Sequence, residues 1–239
     1  MRETRDIGAP VPGWQPPGRP EGELLTGAYA RLQPLSADLH AAELYRANAV
    51  SDAIWEYLPY GPFASAAAYQ SWIGEVTAAD DPRFYAVMNL DSGAWEGVAS
   101  YLRIAPDAGS IEVGHINFSP ALQRTRAATE AMFLMMGWAF TAGYRRYEWK
   151  CNARNLASRR AAQRLGLSYE GVFRQAAVVK GRNRDTAWFA AIDADWPVLK
   201  EAFTAWLDPA NFDAEGRQRA HLGELTRRVR VAEDPALKR

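Results

Sequence analysis

The segment from Glu112 to Asp185 constrains the fold more than any other part of the chain, because strand and helix patterns alternate along it. A strand pattern at 111–118 leads through a turn at 123–129 into a long apolar helix that ends before Gly143. The same order repeats with a strand at 146–151, a helix at 158–165 and a hairpin of strands at 169–180 and 185–193. Interleaved strands and helices predict an α+β fold, an α/β arrangement in three layers built on one mixed sheet.

The first half of the chain carries patterns of the same kinds. Ser36 suits the N-terminal cap of a helix, and the turn around 91–93 has good hairpin chemistry. The predicted elements are a strand at 29–32, helices from 36, at 52–57 and at 65–76, and strands at 84–88 and 95–104. The later helix at 125–142 is apolar almost all round, so we expect it to be buried on more than one side.

Composition argues against several classes of protein. The 239 residues are 48% hydrophobic and 23% charged, and no apolar run approaches the ~20 residues that span a bilayer, so no membrane span is expected. Because 28 basic residues balance 28 acidic ones, we expect no nucleic-acid partner. The first ten residues hold no apolar segment and the single Cys151 cannot form an internal disulfide, so we expect a cytoplasmic protein. The common dinucleotide, phosphate-loop and zinc motifs do not occur, so we expect no metal.

Proline and glycine content divides the chain into three parts. We expect a Pro/Gly-rich N-terminal arm at 1–23, because five prolines between Gly8 and Gly22 prevent a continuous helix or central strand. One domain is expected at 24–197. A C-terminal helical extension is expected at 198–239, where large apolar residues stand among many arginines. This extension could pack on the core or on a second subunit, which allows a homodimer.

Several short motifs stand in an order that resembles a known family. They are Gln123-Arg124-Thr125-Arg126-Ala127-Ala128 at the turn, Asn155 after the next strand, Arg164-Leu165-Gly166 at the end of the next helix, and Lys180-Gly181-Arg182-Asn183-Arg184-Asp185 in the last hairpin. Over residues 24–197 this order resembles the GNAT acyltransferase superfamily, and 112–185 resembles its acyl-CoA-binding half. The last run is similar to the RimJ/RimL branch, whose named members acetylate the N-termini of ribosomal proteins.

The resemblance implies a GNAT-like, mostly antiparallel sheet whose two central parallel strands splay apart around the pantetheine arm of acetyl-CoA. A turn into a helix N-terminus offers unpaired N–H groups and a positive dipole end to the pyrophosphate. The residues implied in cofactor binding are Ile116, Asn117, Phe118, Gln123, Arg124, Thr125, Arg126, Ala127, Ala128, Thr129, Asn155, Ser158 and Arg160. Arg126 stands where the family has its first glycine, and we expect the Arg124 and Arg126 guanidinium groups to replace part of that contact. Arg154 and Arg159 lie near the same mouth, where phosphate contact and a solvated helix face are equally open.

Three residues are candidates for the chemistry. Acyl transfer to an amine needs a base for the ammonium and an acid for the departing thiolate. Glu112 faces the predicted splay and is the candidate base, the alternative being a structural pair with an arginine. His115 points to the opposite face unless a bulge intervenes, so we expect a hydrogen-bonded core histidine rather than a second base. Many family members have a tyrosine where this chain has Ala162, and the RimL-like alternative is Ser158, which is either the acid or a helix cap.

The acceptor pocket is expected at the variable front of the domain. Its predicted residues are Trp55, Tyr57, Tyr60, Phe63, Arg182 and Arg184, although aromatic residues also suit plain packing. We therefore predict an N-acetyltransferase that moves an acetyl group from acetyl-CoA to a primary amine, on a protein N-terminus or a small molecule, by direct transfer in a ternary complex. Two alternatives stay open: a non-catalytic acyl-CoA-binding or interaction module, and a transferase with a longer donor such as succinyl-CoA.

Overall fold

One sheet of eight strands organises the protein, whose computed structural model describes residues 8–238. The strands are Leu25–Thr26 (β1), Ala30–Pro34 (β2), Arg83–Asn89 (β3), Ala94–Ala105 (β4), Ser110–Phe118 (β5), Arg146–Asn152 (β6), Ser168–Val179 (β7) and Arg182–Ile192 (β8). They lie in the order β1-β2-β3-β4-β5-β6-β8-β7. Neighbours are antiparallel except β5 and β6, which are parallel. The predicted α+β fold with a mixed, mostly antiparallel sheet is confirmed.

Helices flank this sheet. The α-helices of the described residues are Ala37–Asn48 (α1), Ala66–Val76 (α2), Arg126–Thr141 (α3), Leu156–Arg164 (α4), Trp196–Leu207 (α5) and Leu222–Leu225 (α6). The Ser36 hydroxyl accepts the N–H of Leu39 and so caps α1 as predicted. The helix expected at 52–57 is a short 3₁₀ helix, Asp52–Trp55. Across residues 8–238, none of the helices has the length and apolar character to cross a membrane.

The two faces of the sheet carry different helices. Along β3, Tyr85 and Val87 belong to the core beneath α3, whereas Phe84 and Ala86 belong to a second core beneath α1 and α2. Successive side chains of a strand point to opposite faces, so these two cores lie on opposite sides of the sheet. The predicted three layers are therefore confirmed, and α3 is buried along most of its length as expected.

The two central strands separate halfway along. β5 pairs with β6 only where Ser110 to Val113 face Arg146 to Trp149, although the strands continue to Phe118 and Asn152. Beyond this point β5 stays bonded to β4, and β6 stays bonded to β8. A V-shaped opening with main chain on both sides results, which is the predicted splay.

A buried glutamate ties α3 to the first strands. The Oε1 of Glu130 accepts the N–H of Ala28 at 2.9 Å, and its Oε2 accepts those of Tyr29 at 2.6 Å and Ala30 at 2.7 Å. Hydrogen bonds to a charged acceptor are stronger than neutral ones, so the carboxylate fixes this turn firmly. Gly27 is required beside it, because a Cβ at this position would collide with the Glu130 carboxylate.

The C-terminal extension packs on the core of its own domain. Leu199, Phe203, Trp206, Leu207 and Leu222 join the core beneath α3. The extension is less helical than predicted: beyond α5, only the four residues of α6 are α-helical up to residue 238. Pro209, Gly216 and Pro235 account for this difference, because each interrupts a helical run.

The end of the extension is fastened to α4 by a buried ion pair. Asp234 is fully buried, and its two carboxylate oxygens accept from Nε and Nη2 of Arg159, both at 2.6 Å. Ser168 accepts the N–H of Val231 at 3.0 Å nearby. The extension therefore holds α4 in place from its outer side.

The described part of the N-terminal arm, residues 8–22, lies against the same domain. The Gly18 carbonyl accepts the hydroxyl of Tyr144 at 3.0 Å, and Arg19 donates to the carbonyl of Ile104 at 3.1 Å. These bonds fit an arm that wraps over the surface. Residues 1–7 of the predicted arm, and residue 239 of the extension, lie outside the described part of the chain.

Candidate active site

A bulge in β5 shapes the wall of the V-shaped opening. Val98 of β4 pairs with Asn117, but Ser100, two residues on, pairs with Gly114, three residues back along β5. The extra residue is His115, whose φ is +50°. A bulge of this kind shifts the alternation of side chains and bends the strand. The side chains on either side of His115 are therefore not in simple alternation.

The bulge puts His115 on the same face as Glu112, so the expectation that it points to the opposite face is wrong. Its ring lies 5.0 Å from that of Phe84 and stacks on Tyr60 at 5.6 Å, both in the core beneath α1 and α2. Its Nδ1 is 3.3 Å from the Tyr60 hydroxyl. Burial, followed by the charges of Arg103 and Arg184, lowers the pKa of His115 to about 4. The imidazole is therefore neutral at pH 7.

Glu112 lies at the base of the opening in a row of alternating charges. Its Oε2 is 2.7 Å from Arg103 and 2.9 Å from the ammonium of Lys150. Lys150 also contacts Glu148 at 2.7 Å, and Arg146 contacts the same glutamate at 2.6 Å. Glu112 therefore forms the ion pair with an arginine that was the structural alternative. It also lies at the predicted position, facing the opening.

Lys150 and Arg103 escaped the sequence analysis. Lys150 lies 3.9 Å over the ring of Trp188, with a side chain only 8% exposed. The position of Lys150 follows from the parallel pairing of β5 with β6, which puts Glu112 beside Glu148. Alternation along β6 then puts Lys150 on their face, but that register is not readable from one sequence.

The N-terminus of α3 offers open backbone donors. Thr125 caps the helix, since its Oγ1 accepts the N–H of Ala128 at 3.0 Å and donates to the carbonyl of Leu122 at 2.7 Å. The N–H groups of Arg124, Arg126 and Ala127 have no acceptor among the described residues. Unpaired donors at the positive end of a 16-residue helix suit an anion such as a pyrophosphate.

The side chains around this turn are used in ways the motif did not show. Arg126 lies over the rings of Tyr29 at 4.5 Å and Phe212 at 5.0 Å, so its guanidinium packs on the C-terminal extension. Gln123 donates to the carbonyl of Phe118 at 2.8 Å and braces the turn against β5. Arg124 has a φ of +64° and is exposed.

Arg164, named in the sequence analysis only as part of the motif that ends the helix, also lies in this region. It donates to Oγ1 of Thr129 at 3.2 Å and lies 4.8 Å over the ring of Trp206. Burial lowers the pKa of Arg164, and no carboxylate among residues 8–238 forms an ion pair with it. A half-buried cation next to the first turn of α3 adds to the attraction for an anion there.

The predicted residues of β5 and α4 line the other parts of the opening. Ile116 and Phe118 are partly buried, and Oδ1 of the buried Asn117 has no hydrogen-bond partner among the described residues. Asn155 caps α4, because its Oδ1 accepts the N–H of Ser158 at 3.0 Å. The cap alternative for Ser158 is therefore wrong, since the helix begins two residues earlier.

Ser158 instead lies beneath the V. Its Oγ accepts the indole N–H of Trp149 at 2.9 Å. Burial raises the pKa of the Cys151 thiol, and a hydrogen bond from Ser158 partly offsets that rise. Arg160 is exposed on α4, whereas Arg159 is held by the extension and is not free to meet phosphates.

The predicted acceptor residues divide into two groups. Tyr60 reaches His115, and Arg184 lies close enough to lower the pKa of His115. Trp55, 4% exposed, packs instead on Phe63 at 5.4 Å and belongs to the core beneath α1 and α2. The Tyr57 hydroxyl donates to the carbonyl of Arg154 at 3.4 Å across the mouth.

The tip of the last hairpin closes over this front. Lys180 donates to the carbonyl of Trp55 at 2.9 Å, and Arg182 lies exposed two residues further on. The cleft is thus walled by β5, the aromatic loop and the hairpin of β7 and β8. Within residues 8–238, no three His, Cys, Asp or Glu side chains come together as metal ligands would.

Comparison with known proteins agrees with this geometry. The family model of the Acetyltransferase (GNAT) domain matches residues 30–168. A GCN5-related N-acetyltransferase from Brucella melitensis is 45% identical, with 91% of this chain and 100% of that chain covered and a TM-score of 0.89. A probable GNAT-family acetyltransferase from Chromobacterium violaceum is also 45% identical, with 80% and 96% covered and a TM-score of 0.75.

A more distant structure shares the fold. The microcin C7 self-immunity acetyltransferase MccE, solved with acetyl-CoA and AMP, is 18% identical, with 70% of this chain and 93% of that chain covered and a TM-score of 0.62. No sequence among curated proteins matches the chain. The family match over more than half of the chain and the two relatives at 45% identity carry the assignment. The chain belongs to the GNAT family of acetyltransferases and is an acyltransferase, which transfers an acyl group from acyl-CoA to an amine.

Proposed function

We propose that the protein transfers an acetyl group from acetyl-CoA to a primary amine directly, in a ternary complex. The observation that carries this proposal is the open V between β5 and β6, with Glu112 at its base and unpaired N–H groups of α3 at its mouth. A protein that only binds acyl-CoA would need the N–H groups at the mouth but no carboxylate at the base of the opening. A carboxylate at the base of the same opening adds a group that can take part in chemistry.

The donor is held mainly by main chain. The residues that would bind it are Ile116 to Phe118 along the pantetheine arm, Gln123 to Thr129 at the pyrophosphate, and Asn155, Ser158 and Arg160 on the far side. The orphaned Oδ1 of Asn117 supports this fit, because a buried acceptor without a donor costs about 1–3 kcal/mol until a ligand N–H meets it. Arg164 would strengthen the site with a nearby positive charge.

Glu112 is the proposed general base. Its carboxylate attracts the ammonium of the acceptor to the base of the opening and takes one proton from it, directly or through a water. His115 is neutral at pH 7, because burial lowers its pKa to about 4, so it neither attracts nor repels the charge of the incoming ammonium. With Tyr60, His115 would instead form the wall against which the acceptor lies.

Ser158 is the proposed acid. The indole N–H of Trp149 occupies one lone pair of its oxygen, so the hydroxyl proton, which interacts with the Cys151 thiol in the free protein, is the one that would pass to the departing thiolate. The serine matches the RimL-like pattern, and Ala162 stands where other members have a tyrosine. These two residues, with the run 180–185, support a place in the RimJ/RimL branch.

The acceptor side favours an amine on a peptide end or a small molecule. Tyr57, Tyr60, Arg182 and Arg184 would contact it, whereas Trp55 and Phe63 support the loop from behind. A longer donor such as succinyl-CoA is a second candidate, because Arg103 and Arg184 both lie near His115 and would attract a terminal carboxylate. A reducing cytoplasm suits the single buried cysteine.

Thiol release tests this proposal. Wild-type protein should release CoA from acetyl-CoA with at least one member of a panel of peptides, polyamines and aminoglycosides. Glu112→Gln keeps the shape of the side chain but removes its basicity, so the rate should fall ~100- to 10,000-fold at neutral pH and partly recover at higher pH.

The matched control is Glu170→Gln, which removes a carboxylate at the exposed end of the same row of charges. It should leave the rate within a few fold. Binding of acetyl-CoA without turnover across the whole panel would make the protein a binding module. Full activity of Glu112→Gln together with an inactive but folded His115→Gln would transfer the role of base to His115.

A further inference from the structure

A cavity lies at the C-terminal end of α1, beneath the aromatic loop. Its volume is about 170 Å³, several times the space that one water molecule requires. The lining residues that matter here are Tyr45, Asn48, Asp52, Trp55, Phe63 and Tyr69. Two of them, Trp55 and Phe63, were predicted to bind the acceptor, but neither contacts His115, whereas Tyr60 does.

Three polar atoms of this cavity are buried without partners. Asn48 is 3% exposed, and neither its Nδ2 nor its Oδ1 forms a hydrogen bond with a described residue. The hydroxyl of Tyr69 is in the same position. Burial raises the pKa of Tyr69, and a hydrogen-bonding interaction with the Asn48 amide partly offsets that rise. The two groups therefore face each other, but not in the geometry of a direct hydrogen bond. Unpartnered buried polar groups are rare in folded proteins, which indicates that a guest completes them.

The electrostatic setting of the cavity favours a cation. Asn48 is the last residue of α1, and the C-terminal end of this 12-residue helix carries the negative end of its dipole. Asp52 adds a carboxylate at the rim, and no basic residue lines the cavity. The rings of Trp55 and Tyr69 supply aromatic surface, which attracts ammonium groups.

We propose that this cavity binds a small organic ammonium ion. Asn48 Oδ1 and Tyr69 Oη accept its N–H groups, Asp52 balances its charge, and the aromatic rings enclose its alkyl part. The site is separate from the transfer centre, because Tyr60 stands between His115 on one side and Trp55, at 6.2 Å, on the other. The acyltransferase would thus hold one amine for reaction and a second that is only bound.

Calorimetry with butylammonium tests the site, and 1-butanol serves as an uncharged probe of similar shape. Butylammonium should bind, and 1-butanol should bind at least 10-fold more weakly. Asp52→Asn and Asn48→Leu should each weaken butylammonium binding at least 10-fold. Glu56→Gln is the matched control, since this exposed carboxylate lies four residues from Asp52 and does not line the cavity.

Several outcomes would overturn the proposal. Equal binding of 1-butanol would remove the role of charge. Absence of binding to the wild type would leave a cavity that holds only water. Binding that is lost in Glu112→Gln but kept in Asp52→Asn would put the ammonium in the reaction cleft instead. Thiol release, measured without butylammonium, reports on the transfer reaction separately, so failure of one proposal does not imply failure of the other.

Discussion

Removing the charge of Asp234 should loosen the C-terminal extension from α4. In the native protein Asp234 is fully buried, and Arg159 is 5% exposed. Asp234→Asn keeps the size of the side chain and one acceptor oxygen for Arg159 but removes the negative charge. The guanidinium is left with neutral partners: that oxygen, the carbonyl of Ala153 and the ring of Tyr169. A buried charge that loses its partner has no water to replace it.

The expected loss of stability follows from that burial. Breaking a buried ion pair from one side costs about 3–5 kcal/mol. For a domain of this size each kcal/mol corresponds to about 2–4 °C in melting temperature, so the midpoint should fall by about 6–20 °C. Urea unfolding followed by circular dichroism at pH 7 measures the same quantity as a free energy of unfolding.

Two further variants separate charge burial from a general effect on the extension. Glu201→Gln breaks the exposed pair between α5 and Arg228, which also belongs to the extension. It should cost less than about 1 kcal/mol, as surface pairs do. The double variant Arg159→Met with Asp234→Leu should recover most of the loss, because no charge is then left buried. If Asp234→Asn costs no more than Glu201→Gln, the extension is not docked on α4 as described, and the reasoning fails.

Four other perturbations have defined outcomes. Gly27→Ala should lower the free energy of unfolding in urea by about 2 kcal/mol or more, because the new methyl group collides with the Glu130 carboxylate and breaks its charge-assisted bonds. The matched variant Gly74→Ala, at an exposed position of α2, should raise it by about 0.5–1 kcal/mol. Because burial lowers the pKa of His115 to about 4, the unfolded chain gains the proton first, and the stability that His115 contributes should fall by about 3 kcal/mol from pH 6.5 to pH 4. His115→Gln should remove this share of the pH dependence and leave that of His40, whose pKa burial also lowers. Ala127→Pro should strongly weaken acetyl-CoA binding in calorimetry while the protein stays folded, and unchanged affinity would contradict a main-chain phosphate site. Ser158→Ala should lower turnover by ~10- to 1000-fold with little change in acetyl-CoA affinity, and an unchanged rate would end its role as acid.

Elements with strong local signals were predictable from the sequence. Three elements form as expected because their signals are local: α1 begins after the capping hydroxyl of Ser36, α3 follows its apolar run, and the turn at 91–93 joins β3 to β4. The start of α4 was misplaced by two residues because Asn155 and Ser158 are both good caps. Only the packing of the helix decides between them.

The candidate site was less predictable, because its geometry depends on register. The bulge at His115 reverses the side on which that ring lies, and no pattern in the segment signals it. Lys150 reaches Glu112 only because two parallel strands pair in one register. Arg126 was expected at a phosphate but stacks on Phe212, a residue nearly ninety positions later in the chain. Long-range contacts of this kind have no trace in local sequence.

The short pairing of β5 with β6 turns the sheet into two panels joined along four residue pairs. From Val113 to Phe118 the free part of β5 extends roughly 17 Å at a rise of about 3.3 Å per residue. A rotation of one panel by about 5° would therefore displace the tip of β5 by about 1.5 Å, and a misplacement of about 1 Å can cost a reaction on the order of 100-fold. Helix α3 contacts strands of both panels, and its buried residues Met132, Met135 and Met136 belong to the core between the helix and the sheet. Changes in their volume would alter the width of the opening, and so the rate, without any contact with the reacting atoms.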